Sequence, residues 1–405
     1  MGAEKKIFFF LFASFPLIDV LNGFALSAGL AFPIGILYRA VSLVFLILAI
    51  FKHGFPKQII TILTAIAIFT GFLALLFHVF ILENSYQTFM YDFMILIKFF
   101  MWILIPYYIY QCRNFYSLQD FKTLFLIISV LFAAGLLIPY FLGVGNQTYA
   151  GSNVGFKGFF FANNDTTVAF ITAATFTGVC LVKERHTSIW GFLGWLLLYA
   201  GILVGLFILG TKTGIIYGIL LSICLIFYMI FIRKLGSLPA KMTLFLVSIS
   251  LAAAVIVYDK NLILQLFSGT LNRLGYFYQL YNGDLLRLIT SSRSDFLNAA
   301  FSKFEEGGSL TLHLFGFGFN YREKNWLFGD LVEMDGFDIL FSLGFLGLFC
   351  SLLVLVFYAV WAVRRKNLYS LLFFFTATLW LVCRTCNVFG TIFYALWISL
   401  WGTIF

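Results

Sequence analysis

Apolar runs of about twenty residues follow one another along almost the whole chain. They fall near 7–27, 31–51, 59–81, 91–111, 124–144, 165–182, 189–209, 213–232, 243–258, 337–363, 367–384 and 388–405. A run of this length crosses the hydrocarbon core of a bilayer as one helix. The composition agrees: 62% of the 405 residues are hydrophobic and 11% are charged, against about 25% charged in soluble domains. A soluble enzyme of this size is excluded, because its surface could not be covered. Outer-membrane barrels are excluded as well, since their short strands alternate in polarity. The expected fold class is an all-α polytopic membrane protein with about twelve transmembrane helices.

Charge orders these helices. Alternate connections hold Lys5 and Lys6; Lys52 and Lys57; Arg113 and Lys122; Lys183 and Arg185; Arg233, Lys234 and Lys241; and Arg364, Arg365 and Lys366. The same segments carry few acids, namely Glu4, Asp120 and Glu184. By the positive-inside rule these connections and both termini are cytoplasmic. The net charge of +9 is thereby a matter of topology, and no nucleic-acid partner is expected. Met1 to Lys6, followed by a long apolar run with Asp19 inside it and no small-residue cleavage site, reads as a first helix rather than a removed signal. Cys383 and Cys386 form a CxxC without a second pair or a nearby His, so no metal, cofactor or disulfide framework is expected.

On the opposite face one connection is long. It divides the chain into 1–258 (transmembrane helices 1–9), 259–336 (an extracytoplasmic loop) and 337–405 (helices 10–12). Leu, Phe, Tyr and Trp throughout the loop predict that it folds, and it carries Arg273, Arg287, Arg293, Arg322 and Lys324. Inside the spans lie Asp19, Arg39 and Lys98, each costing roughly 2.5–3.5 kcal/mol at a helix centre unless paired or hydrated. Asp19 and Arg39 could pair, or Arg39 and Lys98 could reach an anionic ligand in a membrane cavity. Lys212, in the short external LGTKTG link between Gly210 and Gly214, and Lys157, in GFKGFFFANND, pose the same choice between a snorkelling lysine and an anion site.

Three segments together resemble the O-antigen polymerase and O-antigen ligase superfamily, over roughly residues 145–350 and elsewhere by topology. In FKGFFFANNDTTVAF, Lys157, Gly158, Phe160 and Asn164 fill the pattern of a basic residue, Gly, an aromatic and Asn leading into a helix. In LGTKTGII, Lys212 stands at the basic position of a Ser-Arg or Thr-Lys turn. In SSRSDFLNAAF, LFGFGFN and EMDGFDILFSLGFLGL, Arg293 matches the loop arginine and Gly316 and Gly318 the glycine pair. Gly344 and Gly347 match the G-x-x-G opening the next helix. Ligase members place a His eleven residues ahead of the first of these glycines; here that residue is Glu333, followed by Asp335. The acidic variant looks like polymerases of cell-surface polysaccharides of capsule type.

The resemblance implies a GT-C-like fold and an inverting, metal-independent glycosyl transfer at the outer face of a bacterial cytoplasmic membrane. Its substrates would be undecaprenyl-pyrophosphate-linked oligosaccharides, drawn from the membrane lipid, with a chain-length regulator as a further partner. Lys157, Lys212 and Arg293, with Arg287 and Arg384, are the candidate pyrophosphate-binding cations. Glu333 and Asp335 are the candidate catalytic bases, and Asn164, Arg39 and Lys98 candidate substrate contacts. Asp338 fits better as a helix N-terminal acid. A ligase with another acceptor remains open. So does a flippase for the lipid-linked unit, although flippases show internal repeats and need no long folded loop.

Overall fold

A computed structural model describes residues 2–30, 32–83, 85–149, 155–183, 188–232, 272, 274–328 and 330–364. The spans expected at 243–258, 367–384 and 388–405 lie outside the described residues, as do Arg273 and Arg384. The long helices are α1 (Gly2–Ala13), α2 (Phe15–Ser27), α3 (Ile34–His53), α4 (Ile59–Phe77), α5 (Tyr86–Gln111), α6 (Leu118–Phe141), α7 (Asn163–Lys183), α8 (Ile189–Leu209) and α9 (Lys212–Phe227). Strands β1 (Asn146–Gln147) and β2 (Phe156–Gly158) interrupt them after α6. The short α10 (Leu285–Thr290), α11 (Arg293–Glu306), α12 (Leu310–Phe315) and α13 (Phe319–Asn325) precede the long α14 (Asp335–Arg364).

Eight described helices are long and apolar enough to cross a membrane, and nine if α1 and α2 count as one bent span. This makes the chain a multi-pass, all-helical membrane protein, with nine of the expected spans represented. Four differ in form from the uninterrupted helices expected, the eighth ending in a π-helical turn at Tyr228–Ile232. The first, 7–27, bends by 41° between α1 and α2, where Pro16 has no N–H to continue the ladder. The third ends in a π-helical turn, His78–Glu83. The tenth is broken at Gly344.

The chain packs as two units. The first takes in Met1–Ile18, Gly29–Leu124 and Asp284–Phe405, the second Asp19–Ala28 and Phe125–Gly283. In the first, α4 lies against α5 and α14, and α3 against α5. An aromatic cluster of Phe304, Phe317, Trp326 and Phe341 with Ala300 and Val332 binds the short helices to the start of α14. In the second, α7 is almost wholly buried between α8 and α9. Its threonines make that tolerable: Thr166, Thr167, Thr172, Thr175 and Thr177 each donate to a carbonyl one turn back, so no hydroxyl goes unmet in an apolar setting. Thr175 and Thr167 also meet Tyr217 and Thr211 of the α9 side.

Candidate functional site

In the first unit, three glycines join the LFGFGFN segment to α14. Gly316, Gly318 and Gly344 have φ/ψ of 77/−177°, 74/166° and 69/−173°, a region that only glycine occupies without strain. The contact is backbone on backbone: a Cβ on Gly316 would lie 2.4 Å from the Ser342 main chain, and one on Gly344 2.2 Å from the Leu314 carbonyl. The Phe317 and Gly318 amides donate to the carbonyls of Phe341 (2.9 Å) and Ser342 (3.0 Å) at the break. Gly344 thus stands at the junction of two helical stretches and opens the second of them. The first opens at Asp335, and at the break between them another segment supplies the missing hydrogen bonds.

Beneath Gly318 lies a polar group that the sequence alone does not single out. Asp92 of α5 accepts the amides of Phe319 (3.1 Å) and Asn320 (2.8 Å) on Oδ1, while Oδ2 meets His78 Nδ1 at 3.1 Å. His78 Nε2 meets the Phe315 carbonyl at 3.0 Å. That carbonyl can only accept, so Nε2 carries a proton, and the second contact needs another from either His78 or Asp92. Asn320 Nδ2 continues the chain to Glu83 (2.7 Å) and Thr88 (2.9 Å). His78 and Asp92 are 1% and 0% exposed. An Asp and a His within apolar runs were the available signal, since ionisable groups there are costly and purposeful.

Arg322, an unexplained loop cation in the sequence, is buried with Asp338 at 2.9 Å and donates to Ser342 Oγ at 2.6 Å. Asp338 also accepts the amides of Val332 (3.0 Å) and Met334 (3.2 Å), the helix N-terminal role expected of it. Arg293, at the start of α11, is 8% exposed. It pairs with Glu333 at 2.5 Å and donates to the Thr290 carbonyl. Glu333 itself has φ 59°, the left-handed region that costs a non-glycine residue free energy. Its side chain is 41% exposed, whereas Asp335, the first residue of α14, is buried. Arg287 is half-exposed and paired with Asp295 (3.1 Å) and Asp284 (3.7 Å).

In the second unit, β1 and β2 pair antiparallel, Asn146 opposite Gly158 and Gln147 opposite Phe156. Gly155 packs on the Leu209 carbonyl so closely that a Cβ would lie 2.4 Å from it, which sets the hairpin against the α8–α9 turn. Lys157 Nζ donates to the Phe161 carbonyl at 2.9 Å, and partial burial lowers its pKa from the usual lysine value. Gly210 caps α8 at φ 66° and Lys212 opens α9. Gly214 lies inside α9, where a Cβ would come 2.8 Å from Thr211 Oγ1. Asn164 is the second residue of α7 and half-buried; its neighbour Asn163 donates to the Thr148 carbonyl at 2.6 Å.

Among the cavity candidates, Arg39 sits on α3 with its guanidinium 6.0 Å from the Phe15 ring. Lys98 is a half-buried residue of α5. The structure thus brings Arg293 and Glu333 into direct contact and gives Glu333 and Asp335 unequal exposure. A half-exposed carboxylate steered by a buried guanidinium can take a proton from an incoming hydroxyl. The lysines on the hairpin and at the head of α9 can meet an anion.

No curated protein and no solved structure matches the chain. A family match does exist, and it takes in both lysine motifs as well as the N-terminal helices. It stops before Arg293, the glycine pair and Glu333. Over residues 3–285 the chain matches the family described as O-antigen ligase like membrane protein, and it belongs to that family.

Proposed function

We propose that this membrane protein of glycan assembly is a polymerase, joining oligosaccharide repeats carried on undecaprenyl pyrophosphate into a capsule-type surface polysaccharide. The reaction is placed at the outer face of a bacterial cytoplasmic membrane, with both termini cytoplasmic. The observation that carries this reading is the Arg293–Glu333 pair: a carboxylate stands where the resembling ligases have a histidine, held by an arginine in a costly backbone conformation.

In this reading the acceptor hydroxyl attacks the anomeric carbon opposite the pyrophosphate. The new C–O bond forms as the bond to the phosphate oxygen breaks, the hydroxyl proton passes to the Glu333 carboxylate, and undecaprenyl pyrophosphate departs. Arg293, first considered a diphosphate cation, positions that carboxylate. Lys157 and Lys212, in the second unit, are taken separately as cations that can bind an anionic group such as the diphosphate of the lipid carrier.

The test is elongation by purified protein in lipid nanodiscs, supplied with one lipid-linked repeat. A ladder of products supports the polymerase, and Glu333→Gln lowers its rate by roughly 10²–10⁴-fold, the usual worth of a general base. A single transfer to a different acceptor would make the protein a ligase, and movement without a new bond a carrier; either result overturns the proposal. A wild-type ladder from Lys212→Ala removes that residue from the binding of the diphosphate.

A further inference from the structure

Away from these residues, the start of α1 meets the ends of α3 and α5, and three side chains of different chemistry converge there. They are Glu4 in the first turn of α1, His53 as the last residue of α3 and Cys112 capping α5. One carboxylate oxygen, one imidazole nitrogen and the thiol sulfur all lie within 4.8 Å of one another. Glu4 and His53 are 11% and 16% exposed, and Cys112 is 2% exposed. The ends of the helices are fixed independently, because Gln111 donates to the carbonyls of Ile50 (3.1 Å) and Gly54.

We propose that Glu4, His53 and Cys112 form a zinc-class metal site that fastens the first turn of α1 to the ends of α3 and α5. Oxygen, nitrogen and sulfur together suit zinc, whereas calcium and magnesium call for oxygen alone. Around a tetrahedral zinc with bonds near 2.0–2.3 Å, ligand atoms stand about 3.3–3.8 Å apart. Without metal, Glu4 Oε1 is 2.6 Å from His53 Nε2 and 3.0 Å from the Tyr108 hydroxyl. The ion would replace the first of these contacts, leaving Tyr108 to steady the carboxylate.

Two observations favour an ion over a closed hydrogen-bond cluster. First, a pocket of about 140 Å³ opens on the three residues, lined also by Gly2, Lys5, Phe115 and Tyr116. It leaves room for a water as the fourth ligand, as in zinc sites with three protein ligands. Second, Lys5, which lines the pocket, is neutralised by Asp120, a carboxylate outside the ligand set. Lys5 is held by Asp120 at 2.5 Å, and Lys52 by the other Glu4 oxygen at 2.8 Å.

The experiment uses the full chain in nanodiscs, stripped with chelator, with Cys383 and Cys386 both changed to Ser so that their CxxC cannot bind. Zinc is titrated calorimetrically, and cobalt is added as a spectroscopic stand-in. One equivalent of zinc, a near-ultraviolet thiolate-to-cobalt charge-transfer band, and loss of both in Cys112→Ser and His53→Gln support the site. No binding in the parent, cobalt binding without the thiolate band, or binding unchanged in both variants overturns it. Zinc also raises the unfolding temperature of the parent and leaves that of folded Cys112→Ser unmoved.

Discussion

Removing the Asp92 carboxylate isolates what binds the glycine motif to the membrane helices. In Asp92→Ala the amides of Phe319 and Asn320 and the Nδ1 side of His78 lose their partner together. Each of these three buried groups left unmet costs about 1–3 kcal/mol. A working figure is about 4 kcal/mol, close to a thousandfold at 1.36 kcal/mol per decade. Asp92→Asn behaves differently. Its amide oxygen still accepts both backbone N–H groups, and its NH₂ donates to Nδ1 of a neutral imidazole whose Nε2–H still serves Phe315. Only charge assistance is lost, about 1 kcal/mol. The assay is amide hydrogen exchange of the 317–321 segment in nanodiscs. Exchange accelerates about a thousandfold in the Ala variant and less than about tenfold in the Asn variant. Equal acceleration in the two, or none in the Ala variant, refutes the hydrogen-bond count.

Other outcomes separate structure from turnover. Gly318→Ala, at φ 74° with its new Cβ 2.6 Å from Asp92 Oδ2, costs about 1–3 kcal/mol in backbone strain alone. It lowers the yield of folded protein by size-exclusion chromatography, while Gly336→Ala, with open space around it, does not. Asp338→Ala strands the buried Arg322, costs about 3–5 kcal/mol, and shows as reduced protein in isolated membranes. Glu333→Gln, by contrast, keeps a side-chain oxygen for the buried Arg293; its unfolding temperature stays close to that of the parent while polymer disappears from immunoblots.

Long-range order decided how much the sequence could disclose. The helix at 189–209 was legible to the residue because an uninterrupted apolar run needs no outside help, and Ser188 caps it by accepting the Trp190 amide. The breaks were not. Gly344 sits in an apolar run like any other, and only the arrival of Phe317 and Gly318 shows why the ladder stops there. His78 and Asp92 escaped notice because their partners Phe315 and Asn320 lie more than two hundred residues away. Arg322 was visible as a misplaced charge, but its purpose depended on Asp338. The pairing of Arg293 with Glu333 was beyond reach, since the two stand 40 positions apart and nothing between them announces a contact.

The gap at Gly344 bears on how the protein is made. Carbonyl groups left bare in hydrocarbon cost several kcal/mol each, so a transmembrane segment with such a gap is a poor passenger on its own. Phe317 and Gly318 precede Phe341 and Ser342 in the chain, and the donors are therefore synthesised before the acceptors they must cover. The ribosome delivers the plug ahead of the hole, and moving the glycine motif downstream of α14 would forfeit that order while preserving every residue.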